Sequence, residues 1–171
     1  TATSTNTATI TPTPTWSILR GEVQPEHVNC RYGPGAMYIY KYGLLKGNRL
    51  DIIGRNEKGT WILVQAIGGN NPCWMNASLM EINGDVFTVE PVDPHVIMPW
   101  SPYYGPLETV SAIRDGDLVT VFWSQLILRA GDSAEQVPYV LEAWVCRDGE
   151  IVFEPVGAYV LAVEVIDEAG C

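Results

Sequence analysis

Residues 29–35 read Asn-Cys-Arg-Tyr-Gly-Pro-Gly, "NCRYGPG". The stretch ends a short alternating run, "HVNCRY" (27–32), in a glycine–proline–glycine turn, which marks the run as a β-strand closed by a sharp corner. Gly33 and Gly35 are expected to supply turn conformations closed to other residues, with Pro34 stiffening the bend. Downstream the pattern repeats. "YIYKYGLL" (38–45) precedes a turn at Lys46-Gly47-Asn48, and "RLDIIGR" (49–55) alternates through Leu50 and Ile52 before a break at Gly54. A polar turn, "NEKGT" (56–60), leads to "WILVQAI" (61–67), then "GGNNP" (68–72) and "CWMNASLMEI" (73–82). Five short strands separated by Gly/Asn turns, without helical periodicity, predict a small all-β barrel.

The segments "VNCRYGPGAMY", "LLKGNRLDIIGR", "GTWILV" and "CWMNASLM" resemble, in order and spacing, the bacterial SH3-like (SH3b) domain over residues 23–82. In that family an Asn-x-Arg strand meets a GPG turn, followed by a Lys-Gly turn and two tryptophan strands. Tyr38 matches an aromatic common after the family's turn, and Trp61 and Trp74 match its strand tryptophans, which implies core positions. The chain departs from the pattern at Cys30, where an aliphatic residue is usual, and at Cys73, where glycine usually precedes the closing tryptophan. In an SH3-like barrel these two strands can lie close together. The resemblance therefore implies a Cys30–Cys73 disulfide, the alternative being two buried thiols.

The second half reads differently. "VEPVDPHVIMPWSPYYGP" is a proline-rich connector whose Trp100, Tyr103 and Tyr104 are expected to glue the halves together. "DLVTVFWSQLIL" (117–128) is a long strand. "PYVLEAWVCRDGEIVFEPVG" is a hairpin turning at Asp148-Gly149, and "AYVLAVEVIDEAGC" holds one more strand. "VTVFWS" and "YVLEAWV" are similar to two strands of a fibronectin type III or immunoglobulin-like sandwich, of which this half would be a strand-poor version. Four cysteines allow three connectivities, and separate folding of the halves favours Cys146–Cys171 beside Cys30–Cys73. In the leader, threonine occupies every odd position from Thr1 to Thr15, with Pro12 and Pro14 and one large apolar residue, Ile10. Having almost nothing to bury, it is expected to be an extended stalk leading to an anchor ahead of Thr1. The organisation expected is residues 1–16 as a disordered Thr/Pro linker, 17–84 as the SH3-like barrel and 85–171 as the Ig/fibronectin-like unit.

Charge divides along the same line. Residues 16–84 carry seven Lys/Arg against five Asp/Glu, a net +2, while residues 85–171 carry three against fifteen, a net −12. The acidic half argues against nucleic acid as a partner, since little positive charge is available to neutralise phosphates. No stretch approaches the ~18 apolar residues of a membrane span. Two disulfides and the stalk together point to an oxidising, extracytoplasmic setting, surface-anchored or secreted.

Several chemistries are disfavoured. His27 and Cys30 lie three apart on one strand and so point to opposite faces, which precludes a nucleophile–base pair. The carboxylates of the acidic half fall at turns or alternate positions, as solvated faces do. No CxxC pair suggests zinc, and "RDGDL" and "DEAG" lack the spacing of a calcium loop. Neither a catalytic residue, a metal nor a cofactor is expected. The candidate ligand-binding residues are Arg31, Tyr32, Tyr38, Tyr40 and Tyr42, the last three sharing one strand parity beside the GPG turn. Tyrosines so placed form platforms for sugars or peptides. By resemblance, a non-catalytic module recognising cell-wall peptide or glycan, or another surface protein, is expected. The alternatives are a wall-targeting fragment of a larger lytic enzyme and a structural spacer.

Overall fold

The computed structural model describes residues 15–105, 107, 109–131 and 138–171. The Thr/Pro stalk expected over residues 1–16 lies outside them, apart from its last two residues. The described chain is all-β, with antiparallel sheets and two short 3-10 turns. Strands β1 (Leu19–Val23), β2 (His27–Arg31), β3 (Tyr40–Leu45), β4 (Arg49–Arg55), β5 (Trp61–Ala66), β6 (Cys73–Asn76) and β7 (Met80–Asn83) form one sheet in the order β3-β2-β6-β5-β4-β1-β7. All seven feed one core, from Val23, Val28, Leu44, Ile52, Ile62, Met75 and Met80, so the sheet curls around its apolar face. The sequence pattern foreshadows five of these strands. It misses β1, whose "LRGEV" has apolar residues only at its ends, and it runs β7 into β6. Gly21 at the centre of β1 is needed because a Cβ there would lie 2.5 Å from Met80 Sδ.

The opposite face of this sheet is also covered. Arg31, Trp74, Leu63 and Gly54 are successive cross-strand partners, forming one row across β2, β6, β5 and β4. Trp74 and Leu63 in that row are buried. At one end Val92 packs so closely that a Cβ on Gly54 would come within 2.6 Å of its Cγ2. At the other, Arg31 Nη1 donates to the Tyr38 carbonyl at 2.7 Å, tying down the loop that follows β2. The unbroken apolar run Trp61–Val64 reflects this double burial, since a strand covered on both faces loses its alternation.

Beyond β7 the chain stays on the first sheet. Arg55, 8% exposed, donates Nε to the Val89 carbonyl and Nη1 to the carbonyls of Asn56 and Glu57, and its guanidinium lies over the Phe87 ring. A parallel bridge joins Arg55 to Pro91. The polar guanidinium is thus buried with its donors satisfied, and it holds the start of the connector in place.

The second half contains β8 (Val110–Asp115), β9 (Leu118–Trp123), β10 (Tyr139–Arg147), β11 (Glu150–Ala158) and β12 (Ala162–Ile166). A three-stranded sheet, β12-β9-β8, packs against the hairpin β10-β11 through Val119, Val121, Leu141, Val145, Val152 and Val165, a sandwich-like arrangement. The hairpin turns where expected, with Asp148 and Gly149 both at positive φ (52° and 81°). That pair suits the tight turn whose twist matches the strands. β8 is exposed along its whole length, which explains why no alternation announces it.

Both expected disulfides are present, Cys30–Cys73 between β2 and β6 and Cys146–Cys171 between β10 and the chain's last residue. They identify an oxidising compartment. Among the described residues no helix is long and apolar enough to cross a membrane. Alkylation of the native chain without reductant is expected to label none of the four cysteines. Replacing Cys30 and Cys73 by alanine, across a separation of 43 residues, is expected to cost about 4 kcal/mol of stability in urea denaturation. Labelling of either pair in the unreduced protein would contradict the pairing.

Candidate functional site

The turn quoted at the outset leads to the site, for a reason other than the one expected. Neither Gly33 nor Gly35 has positive φ. Glycine is required there because the Tyr38 ring lies against the backbone. A Cβ on Gly33 would fall 2.3 Å from Tyr38 Cδ1, whereas one on Gly35 would fall 2.3 Å from Met37 Sδ and meet Tyr38 Cδ2 only at 3.2 Å. The loop is closed by Tyr32 N–H donating to the Ile39 carbonyl and Tyr38 N–H to the Gly35 carbonyl. Tyr38 therefore precedes β3 and does not share a strand face with Tyr40 and Tyr42, correcting the parity argument.

The tyrosines accordingly do different things. Tyr38 is 3% exposed and donates its hydroxyl to Glu142 Oε1 of β10 at 2.6 Å, across the two halves. Burial, then the hydrogen bond and charge of Glu142, push its phenol well above the ordinary range. Tyr42 packs against the core of the first sheet and donates to the Asn71 carbonyl at 2.6 Å; burial raises its phenol too. Lys41 Nζ sits 5.1 Å from the Tyr32 ring centre and 5.9 Å from that of Tyr42, and donates to the Pro72 carbonyl. Tyr40 is exposed. Arg31 is half-buried, its guanidinium lowered by burial and occupied with the Tyr38 carbonyl. The five residues thus surround one loop without forming a common platform. Cys30, in a disulfide, has no free thiol for chemistry.

A second arrangement appears where the halves meet. Glu142 receives Tyr38 on one oxygen and His95 Nε2 on the other, at 2.5 Å. His95 Nδ1 lies 3.1 Å from Asp93 Oδ1, which also accepts the His95 backbone N–H. Burial pulls the imidazolium pKa down, but the hydrogen bonds and charges of Glu142 and Asp93 outweigh it, so the net shift from the ordinary 6.5 is upward. Beside this cluster runs a groove of ≈ 300 Å³ between Pro34 of the turn, residues 56–58, residues 91–94 of the connector, and Trp144 with Phe153 on the hairpin. Trp144 is 60% exposed, and its ring meets Phe153 at a centroid distance of 4.8 Å and an interplanar angle of 59°. Glu57 and Lys58 stand exposed at the rim.

Sequence reasoning missed this groove because its walls come from four separated segments. The one available signal was Trp144 and Phe153 placed symmetrically about Asp148-Gly149, which makes them direct cross-strand partners. Trp100 is 84% exposed, and Tyr103 and Tyr104 hold Arg129, one under its guanidinium and one through its hydroxyl. Tyr38 bonds across the halves to Glu142, while His95 ties the connector to Glu142 and Val92 packs the connector onto Gly54 of the first sheet. Among the described residues no three His, Cys, Asp or Glu side chains gather as metal ligands.

Compared with family models, curated proteins and solved structures, the chain matches none.

Gly33→Ala is expected to lower stability by about 1–3 kcal/mol, because a rigid ring has to move to admit the methyl. Combining it with Tyr38→Leu should cost less than the sum of the single changes. A neutral Gly33→Ala in thermal melts would contradict the close approach.

Proposed function

We propose that this chain is a non-catalytic, extracytoplasmic binding module. In this reading an SH3-like barrel is followed by an Ig/fibronectin-like sandwich unit, with cell-wall peptide or glycan as the ligand. The observation that carries it is Trp144, held 60% exposed against Phe153 on the wall of a groove of ≈ 300 Å³. Leaving a large indole in water sacrifices its burial, a cost that ligand contact would recover. An exposed indole face stacks well on a sugar ring, whose axial C–H groups meet the negative face of the π-system. Lys58 and Glu57 at the rim offer one charge of each sign. That combination suits a muropeptide, in which a sugar carries a short peptide bearing both amine and carboxylate groups. The resemblance of residues 23–82 to SH3b domains supports the same ligand class, and the two disulfides agree with that location.

Binding is therefore assigned to the groove and not to the tyrosines around the GPG turn. Two of those, Tyr38 and Tyr42, spend their hydroxyls on internal acceptors. In co-sedimentation with insoluble peptidoglycan sacculi, Trp144→Ala is expected to reduce retention about tenfold, the worth of one good stacking contact. Tyr40→Ala should be retained like the wild type. Failure of the wild-type chain to sediment with sacculi would overturn the reading and leave a structural spacer.

A further inference from the structure

The four groups Tyr38, Glu142, His95 and Asp93 come from the turn loop of the first sheet, from β10 and from the connector, and they meet beside the groove. Both ring nitrogens of His95 face carboxylate oxygens, Nε2 toward Glu142 and Nδ1 toward Asp93. A carboxylate at this spacing needs an N–H opposite it, and only the imidazolium carries two. In the neutral ring one nitrogen presents a lone pair to a negative oxygen, and the two carboxylates lose the positive charge between them. We propose that His95 is the pin of a protonation-dependent clasp, closed while the imidazole is charged and loosened when it is neutral. The clasp pins the connector to the β10-β11 hairpin, and through Glu142 and Tyr38 it reaches the GPG turn.

Among the described residues, the charged and titratable groups around the pin are few. Asp93 comes from its own segment and Glu142 from β10, while the first sheet contributes the Tyr38 phenol, which reaches the pin only through Glu142. Glu57 and Lys58 belong to the neighbouring groove wall. Tyr38 remains neutral through the range in which an imidazole titrates, since its phenol is shifted upward, so it stays a donor to Glu142 throughout. His95 is the member whose ordinary titration falls near neutrality. Its folded pKa lies above the ordinary 6.5. The contribution is then fully present below that value and is lost as pH rises through the folded pKa.

Opening would move Trp144 and Phe153 away from Pro34 and widen the groove, because Glu142 and Trp144 lie two residues apart on one face of β10. This consequence for binding rests on the groove reading above; the clasp itself does not. The test measures the two separately. Solution scattering of the full chain at about pH 5.5 and about pH 9 brackets an imidazole titration. The two histidines, His27 and His95, can be followed by NMR over the same range. The wild type is expected to expand with the His95 titration. His95→Gln, whose N–H donors sit on a single nitrogen and which carries no charge, should show no such step, and Asp93→Asn, which removes one of the two carboxylate charges facing the ring, should shrink it. An unchanged radius of gyration in the wild type overturns the clasp, as does a step that survives in His95→Gln. In the binding arm, retention on sacculi is expected to weaken about fivefold at the higher pH, the worth of one partly exposed charged contact. Retention at both pH values without change overturns the link between clasp and groove. Absence of retention at either pH sinks the groove reading, and the scattering still decides the clasp.

Discussion

The Tyr38 ring occupies space that exists only because residue 33 has no Cβ, and its hydroxyl ends on Glu142 of the other half. These contacts place a phenol from the first sheet opposite a carboxylate of β10 with almost no solvent on the ring. A buried hydroxyl needs a partner, and a carboxylate that accepts it gains a charge-assisted bond. Glu142 in turn fixes His95, and His95 fixes Asp93 and the connector. The groove beside Trp144 is bounded by the same segments.

The first sheet can support such a junction because it is covered on both faces. Its inner face closes on an apolar core that includes the disulfide sulfurs of Cys30 and Cys73. The outer row from Arg31 through Trp74 and Leu63 to Gly54 is covered by the turn loop and by Val92. Arg55 holds the first part of the connector through the Val89 carbonyl at its guanidinium and through backbone bonds to Glu90 and Val92, so the chain enters the second half from a fixed point. A flexible tether would cost ordering entropy each time the halves met. A stitched one has met that cost in folding.

Much of the architecture was legible because strands and turns leave local signals. The Asp148-Gly149 hairpin and the alternation in β4 can be read directly. The Cys30–Cys73 pairing followed from a resemblance that placed the two residues on neighbouring strands. β1 and β8 left no such mark, one because its centre is a glycine under Met80 and the other because both its faces meet water. The site was far less legible. Arg31, Tyr32, Tyr38, Tyr40 and Tyr42 were grouped around one turn by parity, and parity arguments assume a continuous strand. The loop of residues 33–38 breaks that continuity. The GPG turn was identified as a corner for the wrong physical reason: its glycines admit a neighbouring ring, and positive φ plays no part. Trp144, Phe153, His95 and Pro34 are distant in sequence, and only the tertiary fold makes them neighbours.

The claim most exposed to test is that Tyr38 and Glu142 hold the halves together through their direct bond. A double-mutant cycle of Tyr38→Phe and Glu142→Gln, measured by chemical denaturation, isolates that bond from the separate effects of each change. A coupling of about 1 kcal/mol is expected for a charge-assisted hydrogen bond with one partner partly exposed. Additivity of the two single changes to within about 0.3 kcal/mol would contradict it.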